Sequence, residues 1–319
     1  MEFYTGTTDF RLHNTAVALG KFDGLHKGHQ LLFSKLREYG RKGLKTVVFT
    51  FDFHPASLLS GKQQKLIYTS EERRKIVEDL GIDVLVEFPF TNETAHMQPY
   101  DFIKNVLAGL FDARVIVVGD DFHFGYKRMG DVQMLLDHAD EFGYTVEHCK
   151  KLGACGRDIS ATMIREFISC GEIMSVNLLL QRPFGITGTV VSGKQNGRKV
   201  GMPTANISFD PVKLVPPDGV YATRMYILDE DIYYDAVTNI GTNPTVGEGN
   251  ARTVETFAPG FSGDLYGRKI IVYFFRHLRK EQKFDSLEDL RVQVDQDIEN
   301  SRAFFAAHAD LFTDYQNRK

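Results

Sequence analysis

Five short apolar runs recur at even spacing through the first half of the sequence, and this spacing constrains the fold more than any other feature. The runs are rich in β-branched residues and occupy residues 15–19, 46–51, 84–88, 115–118 and 144–148. Their centres lie roughly 30 to 40 residues apart, which is the length of a strand–helix–strand crossover. Continuously apolar strands are typical of a parallel sheet that is covered on both faces. The pattern therefore predicts a doubly wound, Rossmann-like α/β domain that binds its ligands at the carboxyl ends of the strands.

The segments between these runs carry helix signals. Apolar residues at helical spacing follow residue 30 and stop at Gly40. Thr69 and Glu72 form a capping-box pair, and Gly81 ends the helix that follows them. Pro99 precedes a third amphipathic stripe over residues 102–110.

The pattern changes near residue 183. Short strand-like runs then alternate with turns rich in Gly and Pro, at residues 188–191, 220–227, 233–240, 253–257 and 270–275. This alternation predicts an all-β barrel or sandwich, closed by one helix over residues 287–308. A length of 319 residues suits about two domains. We expect an α/β domain over residues 1–183 and a β-barrel domain over residues 184–319.

Composition limits the class of partner. There are 38 Lys and Arg residues against 42 Asp and Glu, a net charge of −4, whereas general nucleic-acid binders need a basic surplus. No basic leader precedes an apolar stretch, and no apolar run could span a bilayer. The cysteines (Cys149, Cys155 and Cys170) lack zinc spacing. We expect a cytoplasmic protein without nucleic-acid or membrane partners, and nothing indicates an obligate protein partner.

The most specific motif is GKFDGLHKGH at residues 20–29, directly after the first predicted strand. Glycines let the backbone approach a ligand closely, and a helix that starts near His29 directs free N–H groups at a bound anion. His26 and His29 could then donate to phosphate oxygens. A surface turn and an Asp-His-His metal site are the alternatives.

This segment resembles the HxGH signature of the nucleotidylyltransferase superfamily, which transfers a nucleotide by in-line attack on an α-phosphate. Within that superfamily it is most similar to the prokaryotic bifunctional riboflavin kinase/FMN adenylyltransferase family, also called FAD synthetases. Residues 49–55, residues 119–125 with Arg128, and residues 160–165 resemble further motifs of that family, in the same order. Taken alone, residues 119–125 could be a loop that merely ends the fourth strand, and residues 160–165 could be an ordinary capped helix.

The second half carries a matching set of motifs. GMPTAN at residues 201–206 resembles the GxPTAN motif of riboflavin kinases, and residues 239–245, 252–257 and 278–284 resemble the blocks that follow it. Without the resemblance, residues 201–206 are a β-turn, residues 252–257 are a strand with one solvated glutamate and residues 278–284 are a charged loop. No GxxxxGK[ST] motif occurs, which excludes a P-loop kinase.

The resemblance implies phosphorylation of riboflavin to FMN in the second domain and adenylylation of FMN to FAD in the first, with ATP as co-substrate and Mg²⁺ as cofactor. His26 and His29 would stabilise the transferring phosphoryl group, and Glu255 would be the base of the kinase. The implied Mg²⁺ ligands are Thr204 and Asn206. The implied nucleotide-binding residues are Gly20, Phe22, Asp23, Gly28, Ser160, Thr162, Arg165, Gly193, Gly197 and Gly201. The implied flavin-binding residues are Asp121, Phe122, Phe124, Arg128 and Arg279.

Some residues depart from the family pattern. Ala161 replaces a usual serine and removes one hydroxyl from the predicted phosphate cradle, while Phe53, Gln181, Phe184 and Phe257 are packing or linker changes. Two other functions remain open at this point. One is a nucleotidylyltransferase of another phosphate substrate fused to an unrelated barrel, and the other is a flavin-binding regulator without turnover.

Overall fold

The computed structural model describes residues 1–52, 64–154, 156–193, 201–243 and 251–308. The chain forms two compact units, Met1–Ala161 and Thr162–Lys319. Several residues singled out above lie outside the described ranges: Phe53, His54, Pro55, Cys155, Gly197, Pro244 and Thr245.

The first unit contains a six-stranded, wholly parallel sheet with the order β1-β4-β3-β2-β5-β8. Its strands are β1 (Glu2–Thr5), β2 (Thr15–Leu19), β3 (Lys45–Phe51), β4 (Val84–Phe88), β5 (Ala113–Gly119) and β8 (Thr145–Cys149). From β2 the chain winds outward through β3 and β4, and then returns to build β5 and β8 on the other side. The strand order therefore reverses between β2 and β5, and ligands of such sheets bind where the order reverses, outside the carboxyl ends of the strands.

Helices and short hairpins connect these strands. The helices are α1 (Lys27–Gly40), α2 (Ser70–Asp79), α3 (Asn92–Ala95), α4 (Pro99–Asp101), α5 (Val132–Asp137) and α6 (Ala139–Phe142). The hairpins are β6 (His123–Phe124) with β7 (Gly130–Asp131), and β9 (Gly153–Ala154) with β10 (Arg157–Asp158). The predicted capping box at Thr69 and Glu72 is confirmed, with both reciprocal hydrogen bonds present.

Two features of this unit differ from the expectation. Strand β1 was not predicted, because its four residues are only partly buried at the sheet edge and give no apolar run. The stripe predicted as an α-helix after Pro99 becomes π-helical over Phe102–Leu110, and Phe111 N donates to Val106 O at 3.0 Å.

The second unit contains a closed antiparallel barrel with the strand order β11-β12-β15-β14-β13-β16, which confirms the barrel rather than the sandwich. Its strands are β11 (Phe184–Val191), β12 (Ala205–Phe209), β13 (Gly219–Ile227), β14 (Ile232–Asn243), β15 (Ala251–Phe257) and β16 (Lys269–Arg279). Strand β12 was not predicted, because it begins inside the motif that the pattern alone assigned to a turn. Helix α9 (Leu287–Ala307) closes the unit and places Phe304 and Phe305 against Ala222 and Phe275.

Two helices, α7 (Ala161–Ser169) and α8 (Ile173–Leu180), precede the barrel. Helix α8 is fastened to the barrel by Asn177, which is buried, donates to Phe274 O at 2.9 Å and accepts from Phe184 N at 2.8 Å. These bonds explain why the compact unit includes the helix, although the expected domain boundary follows residue 183. None of the helices in the described ranges combines the length and apolar character needed to cross a membrane.

Candidate active sites

The histidine motif forms the turn between β2 and α1, at the point where the strand order reverses. Three of its residues have left-handed backbone angles: φ is 46° at Phe22, 92° at Gly24 and 42° at Leu25. Phe22 and Leu25 are bulky residues in a region that such side chains rarely adopt, and both are fully buried. His26 then takes the N-cap position of α1, one turn earlier than the predicted helix start near His29.

The rings of His26 and His29 stack face to face, with 3.7 Å between their centroids. The Phe22 ring packs edge-on against His29, with 5.0 Å between the ring centroids, so Phe22 supports the histidine pair. A Cβ at position 28 would lie 3.2 Å from the His26 ring, so Gly28 leaves room for that ring. The sequence predicted that both histidines lie at one helix terminus, and the structure brings them into contact.

Burial keeps this pair uncharged. It lowers the pKa of His26 to about 4. Burial and then the adjacent His26 lower the pKa of His29 well below its ordinary value. Both buried Nδ1 atoms lack a hydrogen-bond partner among the described residues. The N-terminus of a helix favours an anionic ligand, and each neutral imidazole has one N–H group that can donate to it.

Asp23, a predicted nucleotide contact, lies in the same loop. Its side chain is buried, and Oδ1 accepts from the backbone N–H of Ile67 at 3.0 Å. Lys21, also in the loop, accepts from Thr50 at the end of β3, with Oγ1 2.8 Å from the carbonyl oxygen. The loop is therefore fastened to its neighbours on both sides.

The predicted flavin loop follows β5, the strand beside β2. Asp121 is exposed, and its carboxylate lies 3.1 Å from Lys151 Nζ. Phe122 is half-buried, whereas Phe124 is buried and packs against Phe102 at 5.5 Å, so only the first of these rings is open to a ligand. Arg128 is exposed, with its Nη2 atom 3.5 Å from His123 Nδ1.

The predicted second phosphate-binding segment lies at the start of α7. The helix begins at Ala161, so Ser160 precedes it at the cap position. Thr162 is the second residue of the helix. Arg165 is half-buried in the second turn.

In the barrel, strand pairing brings two predicted kinase residues, Asn206 and Glu255, next to each other. Asn206 on β12 is directly opposite Glu255 on β15, and Glu255 is directly opposite Asn239 on β14. Cross-strand partners share a face, with Cβ atoms about 5 Å apart. All three side chains are half-buried, whereas Val254 and Thr256 on either side of Glu255 are buried inside the barrel. Only strand order and register bring Glu255 and Asn206 together, and the structure supplies both.

Two glycines let the backbone approach polar side chains beside this row. A Cβ at position 193 would lie 2.2 Å from Asn206 Nδ2, and a Cβ at position 241 would lie 2.6 Å from Glu281 Oε1. Glu281 also accepts from Asn239 Nδ2 at 3.3 Å. The sequence motifs contained Asn239 and Glu281 but gave them no role, because only the fold brings the loop after β16 beside β14.

Arg279 is engaged within the protein. Its guanidinium makes a bidentate ion pair with the buried Asp297 of α9, with an Nη2 to Oδ2 distance of 2.8 Å. This pair connects the end of β16 to the closing helix, so the structure gives Arg279 a role in holding that helix.

A cleft of about 780 Å³ lies beside the predicted GMPTAN motif, between Gly201 and Met202, the end of β15 and helix α9. Ligand pockets of roughly 300–1,000 Å³ hold cofactor-sized molecules. Its lining residues are Gly201, Met202, Phe257, Pro259, Leu287, Glu288, Arg291, Asp295, Ile298, Glu299 and Arg302. Gly201 is exposed at one side of the cleft, and Thr204 is half-buried just before β12.

Comparison with known proteins gives names to these two units. The family model described as FAD synthetase matches residues 9–163, and the model described as riboflavin kinase matches residues 180–305. The second match contradicts the alternative of an unrelated barrel. The bifunctional riboflavin kinase/FMN adenylyltransferase of Listeria monocytogenes is 35% identical over 301 residues, which cover 93% of this chain and 94% of that protein.

Two further likenesses span almost the whole chain. The protein of the same name from Escherichia coli K12 is 33% identical over 291 residues, covering 91% of this chain and 92% of that protein. A crystal structure titled macrolide-efflux protein, from Streptococcus pneumoniae, has a TM-score of 0.84 at 29% identity, and the match covers 94% of this chain and 98% of that one.

Proposed function

The chain belongs to the bifunctional riboflavin kinase/FMN adenylyltransferase family, and from that premise we propose how its residues carry out the two reactions. It is an enzyme with two activities. The second unit transfers the γ-phosphate of ATP to riboflavin and forms FMN, and the first transfers AMP from a second ATP to FMN, forming FAD and pyrophosphate. The observation that carries the residue assignments is that His26 contacts His29 in the first unit, while Asn206, Glu255 and Asn239 face one another on neighbouring strands of the second.

In the adenylyl-transfer site, His26 and His29 stabilise the charge that builds on the transferred α-phosphate. Their buried, unpartnered Nδ1 atoms favour the tautomer with the proton on Nε2, because an unprotonated nitrogen is less costly to leave without a partner than an N–H group. Each Nε2–H then donates to a phosphate oxygen, a preorganised arrangement that needs no covalent intermediate. Backbone groups of Gly20, Phe22 and Gly28 contact the nucleotide in the same turn.

The remaining predicted contacts of this site come from two other segments. Ser160, Thr162 and Arg165 supply a hydroxyl, free helix amides and a guanidinium for the outer phosphates. Asp121, Phe122 and Arg128 take the flavin side, and Phe124 serves there only as support for Phe122, because its own ring is buried.

In the kinase site, Glu255 accepts the proton of the riboflavin 5′-hydroxyl as that oxygen attacks the γ-phosphate. Asn206 and Asn239 flank it on the neighbouring strands, so the three polar side chains form a row. Gly193 and Gly201 bring backbone N–H groups close to the ATP phosphates, and the missing Cβ at position 193 leaves that approach open.

Mg²⁺ fits this row. The donors are a carboxamide at Asn206 and a hydroxyl at Thr204, and oxygen ligands of this kind are the ones that Mg²⁺ prefers. The backbone of Gly193 packs closely on this carboxamide, since a Cβ there would come within 2.2 Å of Asn206 Nδ2. When bound, Mg²⁺ would neutralise charge on the β- and γ-phosphates. The substrates are small molecules, and we propose that the protein works in the cytoplasm without nucleic-acid, membrane or obligate protein partners.

The metal assignment is tested with Asn206→Ala. We expect FMN formation to need a higher Mg²⁺ concentration for half-maximal rate, because one oxygen ligand is lost, while conversion of supplied FMN to FAD keeps its own Mg²⁺ dependence. Asn300→Ala, on the exposed surface of α9, is the matched control. An unchanged Mg²⁺ requirement in Asn206→Ala would contradict the assignment.

A further inference from the structure

We infer that Asp23 is a positioning residue for adenylyl transfer, which fixes the His26 loop through the backbone of Ile67 instead of contacting the nucleotide. The inference rests on the proposed function of the His26–His29 pair. It replaces the sequence-based prediction that the Asp23 carboxylate is itself a nucleotide contact.

The loop that presents His26 requires an external restraint. Phe22 and Leu25 are held in left-handed backbone conformations that bulky residues rarely adopt, and such conformations persist only where the surroundings impose them. Asp23 lies between these two residues. A restraint at position 23 therefore acts on the strained turn and, three residues later, on the N-cap histidine.

The restraint is a buried hydrogen bond. Asp23 Oδ1 accepts from Ile67 N at 3.0 Å, and both residues are buried. A backbone N–H that loses its acceptor in such a place pays the full cost of desolvation, so the bond strongly favours one loop position.

Ile67 is itself firmly anchored. Two residues later Thr69 begins the capping box of α2, and the helix carries Arg73, whose Nε donates to Glu87 Oε1 at 3.1 Å. Glu87 is buried at the carboxyl end of β4 and also accepts from Arg74 Nη2 at 3.1 Å. The Ile67 amide is therefore fixed in position relative to the parallel sheet. Through its hydrogen bond to Asp23, it fixes the histidine loop relative to the sheet as well.

The bond from Ile67 N needs an acceptor atom at position 23, whether or not that atom belongs to a charged group. Asparagine retains a carbonyl oxygen that can accept from Ile67 N, whereas alanine does not. A direct contact to a nucleotide-bound cation or a charged role in binding would require the carboxylate. The two substitutions therefore separate positioning from direct contact.

The test measures FMN-to-FAD conversion by full-length Asp23→Asn and Asp23→Ala, with riboflavin phosphorylation by the same samples as an internal control. We expect Asp23→Ala to lose about 10²-fold in kcat, since a misplacement of about 1 Å costs that much, with a small change in KM for ATP. Asp23→Asn should stay within about threefold of the wild type in both constants, since its acceptor is retained. Riboflavin phosphorylation should be unchanged in both.

Asp83→Ala is the matched control, because Asp83 Oδ2 accepts from Thr46 N at 2.8 Å at the opposite, amino-terminal edge of the sheet. It should keep both activities in the folded protein. The inference is overturned if Asp23→Asn falls as far as Asp23→Ala, if Asp23→Ala is fully active, or if Asp83→Ala loses adenylylation equally. Should Asp23→Ala not fold, the activity of Asp23→Asn decides alone. His26→Ala in the same assay separates the two claims, because full activity there would contradict the proposed site itself.

Discussion

At the scale of single residues, two opposed effects act on the charge of the stacked histidines. Burial makes them uncharged in the free protein, while their proposed substrate is an anion that favours the charged form. The folded pKa of His26 is about 4, below the ordinary 6.5, so between these values the unfolded chain binds a proton that the folded chain does not. The stability that this difference contributes is present above pH 6.5 and is lost as the pH falls through about 4.

We therefore predict that the His26 imidazole stays neutral down to about pH 5, as followed by NMR of the ring carbon with His26→Gln used to assign the resonance. Adding ATP should move the titration to higher pH, because phosphate charge favours the imidazolium. The free energy of unfolding should fall with decreasing pH in this window, more steeply for the wild type than for His26→Gln by up to about 1.4 kcal/mol per pH unit. Titration of His26 near pH 6.5 in the free protein would contradict the burial effect.

Glu255 allows a second test at this scale. Glu255→Gln keeps the shape and a hydrogen-bonding group but removes the basic carboxylate, so FMN formation should slow by about 10²–10⁴-fold. Supplied FMN should still become FAD at nearly the wild-type rate, measured by chromatography. Glu230→Gln, on the same unit, is the control. Ordinary kinase activity in Glu255→Gln would leave Glu255 as a surface charge.

At the scale of elements, the kinase site depends on how closely the chain after β11 approaches β12. A methyl group at position 193 would overlap the Asn206 carboxamide, so Gly193→Ala should displace Asn206 and cut FMN formation by at least about tenfold, as expected for a misplaced binding group. Gly260→Ala is the matched control, because its Cβ would meet nothing closer than Tyr234 Cδ1 at 3.9 Å. Equal kinase activity of the two variants would mean that this close approach has no part in catalysis.

The elements also show what the sequence could predict. Strands β2 and β4 have the predicted bounds, because continuous burial on both faces leaves an unbroken apolar run. Strands β1 and β12 are short and partly exposed, so the same rule does not detect them. The sequence could not predict the strand register. Glu255 is 49 residues from Asn206 and 16 from Asn239 in the chain. The three become neighbours only through the strand order β12-β15-β14.

A motif gives a charged residue a predicted role without its partners inside the protein. In the structure, Asp23 accepts from Ile67 N, and Arg279 pairs with Asp297. Burial of these partners depends on tertiary packing, which a motif does not encode.

At the scale of the whole molecule, residues 162–183 have two proposed roles, one in adenylyl transfer and one in the stability of the barrel. They carry Arg165 of the proposed adenylyl-transfer site, and they also carry Asn177, whose two buried bonds belong to the barrel. We predict that fragment 1–183 folds and converts FMN to FAD, which keeps the expected domain boundary for that activity.

For the kinase, we predict that fragment 162–319 is more stable than fragment 184–319 by a few kcal/mol, since each buried hydrogen bond left unsatisfied costs about 1–3 kcal/mol. Thermal unfolding by circular dichroism and the rate of FMN formation would compare them. Equal stability would show that α8 adds nothing to the barrel. If either fragment phosphorylates riboflavin only after the other half of the chain is added, the two sites are not independent.

The most direct test of two separate sites in one chain is chromatography of riboflavin incubated with ATP and Mg²⁺ and the full-length protein. The wild type should form FMN and then FAD. His26→Ala and His29→Ala should accumulate FMN with FAD formation reduced by about 10²–10³-fold, because a preorganised phosphate donor is lost. Unchanged riboflavin with the wild type, or an equal loss of FMN formation in folded histidine variants, would contradict the account.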